Sequence, residues 1–132
     1  MATTVHPKRP LRVLLVEDHT ETALLLKAIL ESSGHRVAIA GDVTSAIQHA
    51  ENAPFDIIVS DIGLPDGTGY DLMKQISERH HIPGIALTGY GMDDDLQQSR
   101  DAGFADHIVK PIDARQLESA LYRVARAGKN GN

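Results

Sequence analysis

Five polar side chains have types that could do chemistry together: Glu17 and Asp18 side by side, then Asp61, Thr88 and Lys110. Each is the first strongly polar residue after a short apolar run, or nearly so. If the three carboxylates converge, they repel one another, and a cation or protons held at neutral pH must relieve the repulsion. A hard divalent ion does this well, and Mg2+ suits one or two carboxylates with water and a phosphate completing its shell. Lys110 adds a compact positive charge suited both to the acids and to an anionic ligand. A metal-bound carboxylate beside a lysine and a hydroxyl is equipped for phosphoryl transfer. The carboxylate attacks in line while the cations neutralise charge on the equatorial oxygens.

That chemistry requires the elements between the five residues to return each run to one edge of the molecule. Strand-length apolar runs occur at 12–16, 36–40, 57–61, 84–88 and 108–109. Between them lie stretches of helical period. Ala23, Leu26, Ile29 and Leu30 share one helix face, and Gly34 stops that helix. Val43, Ala46, Ile47 and Ala50 mark the next, and Leu72, Met73 and Ile76 the third. A weaker helix is expected over 93–102, and Leu117, Ala120, Leu121 and Val124 give the last a clear stripe. Five strands alternating with five helices predict an α/β fold, a doubly wound parallel sheet with right-handed crossovers. Ligands of such sheets bind outside the carboxyl ends of the strands, where strand order reverses. Residues 1–10 read as a flexible N-terminal arm, 11–126 as one domain and 127–132 as a flexible tail.

Taken singly, each polar residue has a plain structural alternative. Asp18, with Glu21 three residues on, could cap the first helix. Asp61 could form a turn, Thr88-Gly89 could be ordinary loop chemistry, and Lys110 before Pro111 an exposed strand terminus. Their coincidence at equivalent strand ends is what these alternatives explain poorly. The other polar features are blander. His80 and His81 are adjacent and point apart, and His6, His19, His35 and His49 are scattered without ligand spacing. Asp93, Asp94 and Asp95 suit the first turn of a helix. Gly67 and Gly69 follow no phosphate-loop pattern. Tyr90 could shield the pocket or pack on the surface.

Composition narrows the class. The 132 residues are 42% hydrophobic and 23% charged, with 18 acidic against 13 basic side chains and a net charge of -5. An acidic chain lacks the basic stripe of a nucleic-acid-binding domain. There is no cysteine, hence no disulfide framework. No segment resembles a signal peptide or a transmembrane span, so a cytoplasmic location without membrane contact is expected.

The blocks Val16-Glu17-Asp18, 60–66 (Ser60-Asp61-Ile62-Gly63-Leu64-Pro65-Asp66), Leu87-Thr88-Gly89 and Lys110-Pro111 together resemble the receiver domain of two-component response regulators. The likeness runs from about Leu11 to Arg126. It implies a flavodoxin-like (βα)5 sheet in the order 2-1-3-4-5, an order the chemotaxis receiver exemplifies. It implies that Asp61 is the phosphoacceptor and Asp18 a direct Mg2+ ligand. Glu17 would act through water, and the Gly63 backbone carbonyl would be a further ligand. Thr88 would bind a phosphoryl oxygen, Lys110 would pair with the phosphoryl group, and the Lys110-Pro111 bond would be cis. The donor would be a histidine kinase or a histidine phosphotransfer protein, with the fourth helix, fifth strand and fifth helix as the responding face. Three positions before Lys110, where many receivers carry a rotating Tyr or Phe, stands His107, bulky enough for that slot but polar and titratable. The segments 87–91 and 107–113 are more similar to receivers attached to hybrid histidine kinases than to those of DNA-binding regulators. Two rivals differ in class. A small Mg2+-dependent phosphatase with an aspartyl nucleophile would commonly place a second acid where Gly63 stands. A nucleotide- or flavin-binding module would need a glycine fingerprint where the Glu17-Asp18 pair lies.

Overall fold

Three runs without polar alternation form the centre of the sheet: β1 (Arg12–Val16), β3 (Ile57–Asp61) and β6 (Gly84–Thr88). A parallel strand covered by helices on both faces is buried on both sides, which is why its sequence does not alternate. The computed structural model describes residues 10–89 and 96–130, with side chains through residue 127. Nine of the ten residues of the expected N-terminal arm, together with Tyr90, Gly91, Met92, Asp93, Asp94, Asp95, Gly131 and Asn132, lie outside the described residues.

Two further strands, β2 (Arg36–Ala40) and β7 (Phe104–Val109), complete a five-stranded sheet in the order β2-β1-β3-β6-β7. Every pairing is parallel. Counting sheet strands alone, this is the expected 2-1-3-4-5. Strand order reverses between β1 and β3, so Val16 and Ser60 are register partners and the residues after them emerge side by side.

Period two within the strands divides the core. Leu14, Val16, Ile58 and Ala86 face one side, against α2 (Val43–Asn52) and α3 (Gly69–His80). Val13, Leu15, Ile57, Val59, Ile85 and Leu87 face the other, against α1 (Thr20–Ser32) and α5 (Ala114–Asn130). The weak fourth helix is α4 (Leu96–Ala102) among the described residues, with only Ser99 and Ala102 buried.

Several boundaries depart from the sequence reading. β7 starts at Phe104 rather than Ile108, because Ala105, Asp106 and His107 interrupt the apolar run at the sheet margin. α5 stays helical to Asn130, past the expected domain end, although its last buried apolar residue is Val124. A two-rung antiparallel hairpin, β4 (Gly63–Leu64) with β5 (Gly67–Thr68), was not expected. The N-cap of α1 is His19, and it makes no side-chain cap bond, so nothing supports Asp18 as a helix cap. Gly69 starts α3 against the end of β3. A Cβ there would overlap the Asp61 carbonyl oxygen and stand 3.0 Å from Ile62 Cα.

Candidate functional site

The carboxyl end of β1 delivers Glu17 into the protein. Its N–H donates to the Ala40 carbonyl at 3.0 Å, extending the β1–β2 ladder by one residue and turning the side chain inward. The side chain is fully buried. Its Oε2 accepts from the His19 N–H at 3.1 Å, whereas Oε1 has no hydrogen-bond partner. Burial, first of all, raises the Glu17 pKa. The His19 amide opposes that, the charge of Asp61 adds to it, Lys110 counters and Asp18 adds a little.

Asp61 closes β3 and is nearly buried, its side chain 14% exposed. Oδ1 accepts from the Ile62 N–H at 2.8 Å, and Oδ2 accepts from Lys110 Nζ at 2.8 Å. Lys110 follows β7, its own N–H donating to the Thr88 carbonyl at 2.8 Å, and the Lys110-Pro111 bond is cis. The same Nζ lies 3.6 Å from Glu17 Oε1. Burial alone would lower the Lys110 pKa, but the hydrogen bond and charge of Asp61, with the charge of Glu17, raise it on balance.

One lysine thus bridges two carboxylates from different strands. Asp18 is exposed beside them. Glu17, Asp18 and His19 each offer one ligand atom within 4.8 Å of the others. His19, read from sequence as scattered and without ligand spacing, lies beside the acid pair, with its Nδ1 3.7 Å from Glu17 Oε2. Adjacency to the acids was the signal that could have placed it.

Thr88 is buried at the end of β6, where its hydroxyl makes a long 3.5 Å bond to the Ile108 carbonyl. No hydrogen bond joins it to Asp61 among the described residues. Gly63 is exposed in β4, with open space where a Cβ would stand, so the position makes no steric demand for glycine. His107 is half-buried on β7 and borders a cavity of about 120 Å³ against Leu96, Ser99 and Arg100 of α4. Its neighbour Asp106 uses Oδ1 to accept the His107 N–H at 2.8 Å and Oδ2 to pair with Arg123 of α5 at 2.6 Å. Glu17, Asp61 and Lys110 are brought into direct contact, Asp18 lies at their rim, and His107 sits apart.

The sequence profile of the response regulator receiver domain matches residues 13–122. The chain belongs to the receiver domain family. The rice protein Probable histidine kinase 2 (Oryza sativa subsp. indica) is 32% identical over 94% of this chain, which spans only 14% of that protein's length. A CheY-like receiver domain protein from Methanospirillum hungatei JF-1 superimposes with a TM-score of 0.86 at 29% identity, covering 93% of this chain and 99% of the other. The receiver domain of the sensor histidine kinase PA1611 from Pseudomonas aeruginosa PAO1 gives 0.80 at 31% identity, over 88% and 98% of the two chains. That structure has a magnesium ion coordinated in its active site cleft. Receivers are modules of two-component signalling, and among the described residues of this one no helix is long and apolar enough to cross a membrane.

Proposed function

We propose that this receiver takes a phosphoryl group onto Asp61 from a phosphohistidine of a histidine kinase or histidine phosphotransfer protein, in the cytoplasm, and passes the event on by a change of conformation. The observation that carries this is the bridge of Lys110 Nζ to Asp61 Oδ2 beside a buried Glu17 oxygen with no hydrogen-bond partner. An accepting carboxylate beside a cation, with neighbouring acids able to hold a metal ion, is what such a transfer uses.

The donor set fits Mg2+. It is rich in carboxylate oxygen, and Glu17 Oε1 lacks a hydrogen-bond donor of its own. Asp18, Asp61 and the Gly63 carbonyl would hold the ion directly, and Glu17 through water. Bound there, Mg2+ would offset the charge of the acids and of the incoming phosphoryl group. The chain does the rest. An Asp61 oxygen forms a bond to phosphorus as the N–P bond of the donor breaks, and the imidazole leaves with the electron pair and takes up a proton. Ile62 N–H holds the other oxygen and fixes the plane of the carboxylate. Lys110 exchanges Asp61 Oδ2 for a phosphoryl oxygen. The Thr88 hydroxyl gives up little in leaving a 3.5 Å bond to Ile108, so it is free to turn toward the same group. His107, beside the cavity between α4 and β7, can then change rotamer, which makes α4, β7 and α5 the responding face.

The test is chemical. Incubated with Mg2+ and a small acyl-phosphate donor, the protein should gain one phosphoryl mass that hydroxylamine removes. Asp61→Ala should remain unlabelled, and full labelling of that variant would refute the assignment.

A further inference from the structure

The first N–H groups of a helix have no partner inside it. At α2 those of Val43, Thr44 and Ser45 are supplied, by two different carboxylates. Asp42 is the ordinary cap: its Oδ1 accepts from the Ser45 N–H at 2.8 Å, and its carbonyl accepts from the Ala46 N–H at 3.1 Å. The two N–H groups in front are taken by Asp66, more than twenty residues away. Its Oδ1 accepts from the Val43 N–H at 2.7 Å, and its Oδ2 accepts from the Thr44 N–H at 3.1 Å and the Thr44 hydroxyl at 2.8 Å. The Val43 amide, ahead of the other contacts, holds the Asp66 carboxyl below the usual range.

Asp66 sits in the turn between β4 and β5, in the loop that leaves Asp61 and carries Gly63. That loop has two anchors. At its root, the Gly69 N–H donates to the Ile62 carbonyl at 2.7 Å, and Ile62 is buried. At its tip, Asp66 is tied to α2, and Gly67 lies so close that an added Cβ would stand 3.3 Å from Val43 Cγ2. Gly63 lies between the anchors, in a hairpin of two rungs that has little stability of its own.

We infer that Asp66 is a positioning residue for the cation site: by fixing the loop tip on the α2 N-terminus it holds the Gly63 carbonyl in place relative to Asp61. This rests on the reading of Asp61 and Gly63 given above. Mg2+ demands near-ideal octahedral geometry at short distances, so a ligand left to wander is lost to it. Outer partners of metal ligands typically change affinity by about 10- to 100-fold.

The experiment titrates Mg2+ into the parent chain, Asp66→Ala, Asp66→Asn and Asp42→Ala. Amide NMR shifts follow binding, and labelling by the acyl-phosphate donor is measured at saturating ion. Asp66→Ala should raise the half-saturating Mg2+ concentration about tenfold, while labelling at saturation stays near that of the parent. Asp66→Asn, which keeps an acceptor but not the charge, should fall between. Asp42→Ala removes the other cap from the same helix, so it should lower the melting temperature and leave half-saturation unchanged. An unchanged half-saturation in Asp66→Ala, or the same loss in Asp42→Ala, would reduce Asp66 to a helix cap. If Asp66→Ala does not fold, Asp66→Asn decides by the same criterion. Asp61→Ala in parallel separates the two readings: labelling of that variant overturns the phosphoacceptor assignment, whereas a blank leaves the Asp66 result to stand or fall alone.

Discussion

Lys110→Met removes the cation between Asp61 and Glu17 while keeping an unbranched side chain of similar reach. At an effective dielectric of about 20, contacts at 2.8 Å and 3.6 Å correspond to gross attractions of about 6 and about 5 kcal/mol. Most of this does not survive as stability. Burial works against the charged lysine before the acids favour it, and with 34% of its side chain exposed, solvent screens the pair. An exposed pair contributes about 1 kcal/mol or less, and breaking a buried one costs about 3–5 kcal/mol. This site lies between, and the expected loss is about 2 kcal/mol, or about 8 °C of melting temperature for a domain of this size. The sign is set by the raised pKa of Lys110: its contribution is fully present at pH 7 and is lost only as pH rises through that raised value. Melting curves at pH 7 in EDTA and in Mg2+ provide the assay. Without the lysine, Mg2+ no longer competes with Nζ for the same oxygens, so the ion should stabilise the variant more than the parent. At ten times its dissociation constant it adds about 1.4 kcal/mol, recovering most of the deficit. Equal melting in EDTA, or an equal Mg2+ shift in both proteins, would show that Lys110 does not compensate these acids.

Thr88→Ala should still label at Asp61 yet lose the phosphorylation-induced amide shifts on α4, β7 and α5; shifts that persist there would assign the signal to another group. Gly69→Ala places a methyl group against the Asp61 carbonyl and should destabilise the fold by about 1–3 kcal/mol while slowing labelling. A melting temperature equal to that of the parent would mean that α3 can back away freely. The depressed pKa of Asp66 gives an acid-side test. Its contribution is complete above the ordinary aspartate value of about 3.9 and fades as pH falls through the lower folded value. Asp66→Asn should therefore lose stability less steeply than the parent over that window, and parallel curves would contradict it.

How much could be read in advance depended on how local the cause was. The limits of β1, β3 and β6 were legible because both faces of these central strands are apolar and the polar residue that ends or follows each run stands out. The contacts of Glu17, Asp61 and Lys110 followed from that, since parallel register lines up the strand ends. β7 was foreshortened because Asp106 breaks its apolar run while its backbone continues the ladder. The β4–β5 hairpin was invisible, as two-residue strands carry no periodicity. The hold of Asp66 on α2 was equally hidden: it is a long-range partnership, and only the fold brings the turn to that helix. The left-handed His81 that ends α3, at φ 57°, had no glycine to announce it.

The double duty of Asp106 has a consequence for the company this domain can keep. An open sheet ends in strands whose outer backbone groups are a template for further pairing, the usual route to edge-to-edge aggregation. Along β7 the N–H of Lys110 points inward to Thr88, so by strand alternation that of His107 points outward. That outward donor is already engaged by the Asp106 carboxylate, and the Arg123 arm from α5 is drawn over the same margin. The ladder itself slips register opposite Gly84 and Ile85, which further spoils the template. A neighbouring sheet therefore finds a charged, self-occupied selvage instead of a vacant rung. At that rung backbone-to-backbone pairing is disfavoured, and a partner on this side meets charged side chains first.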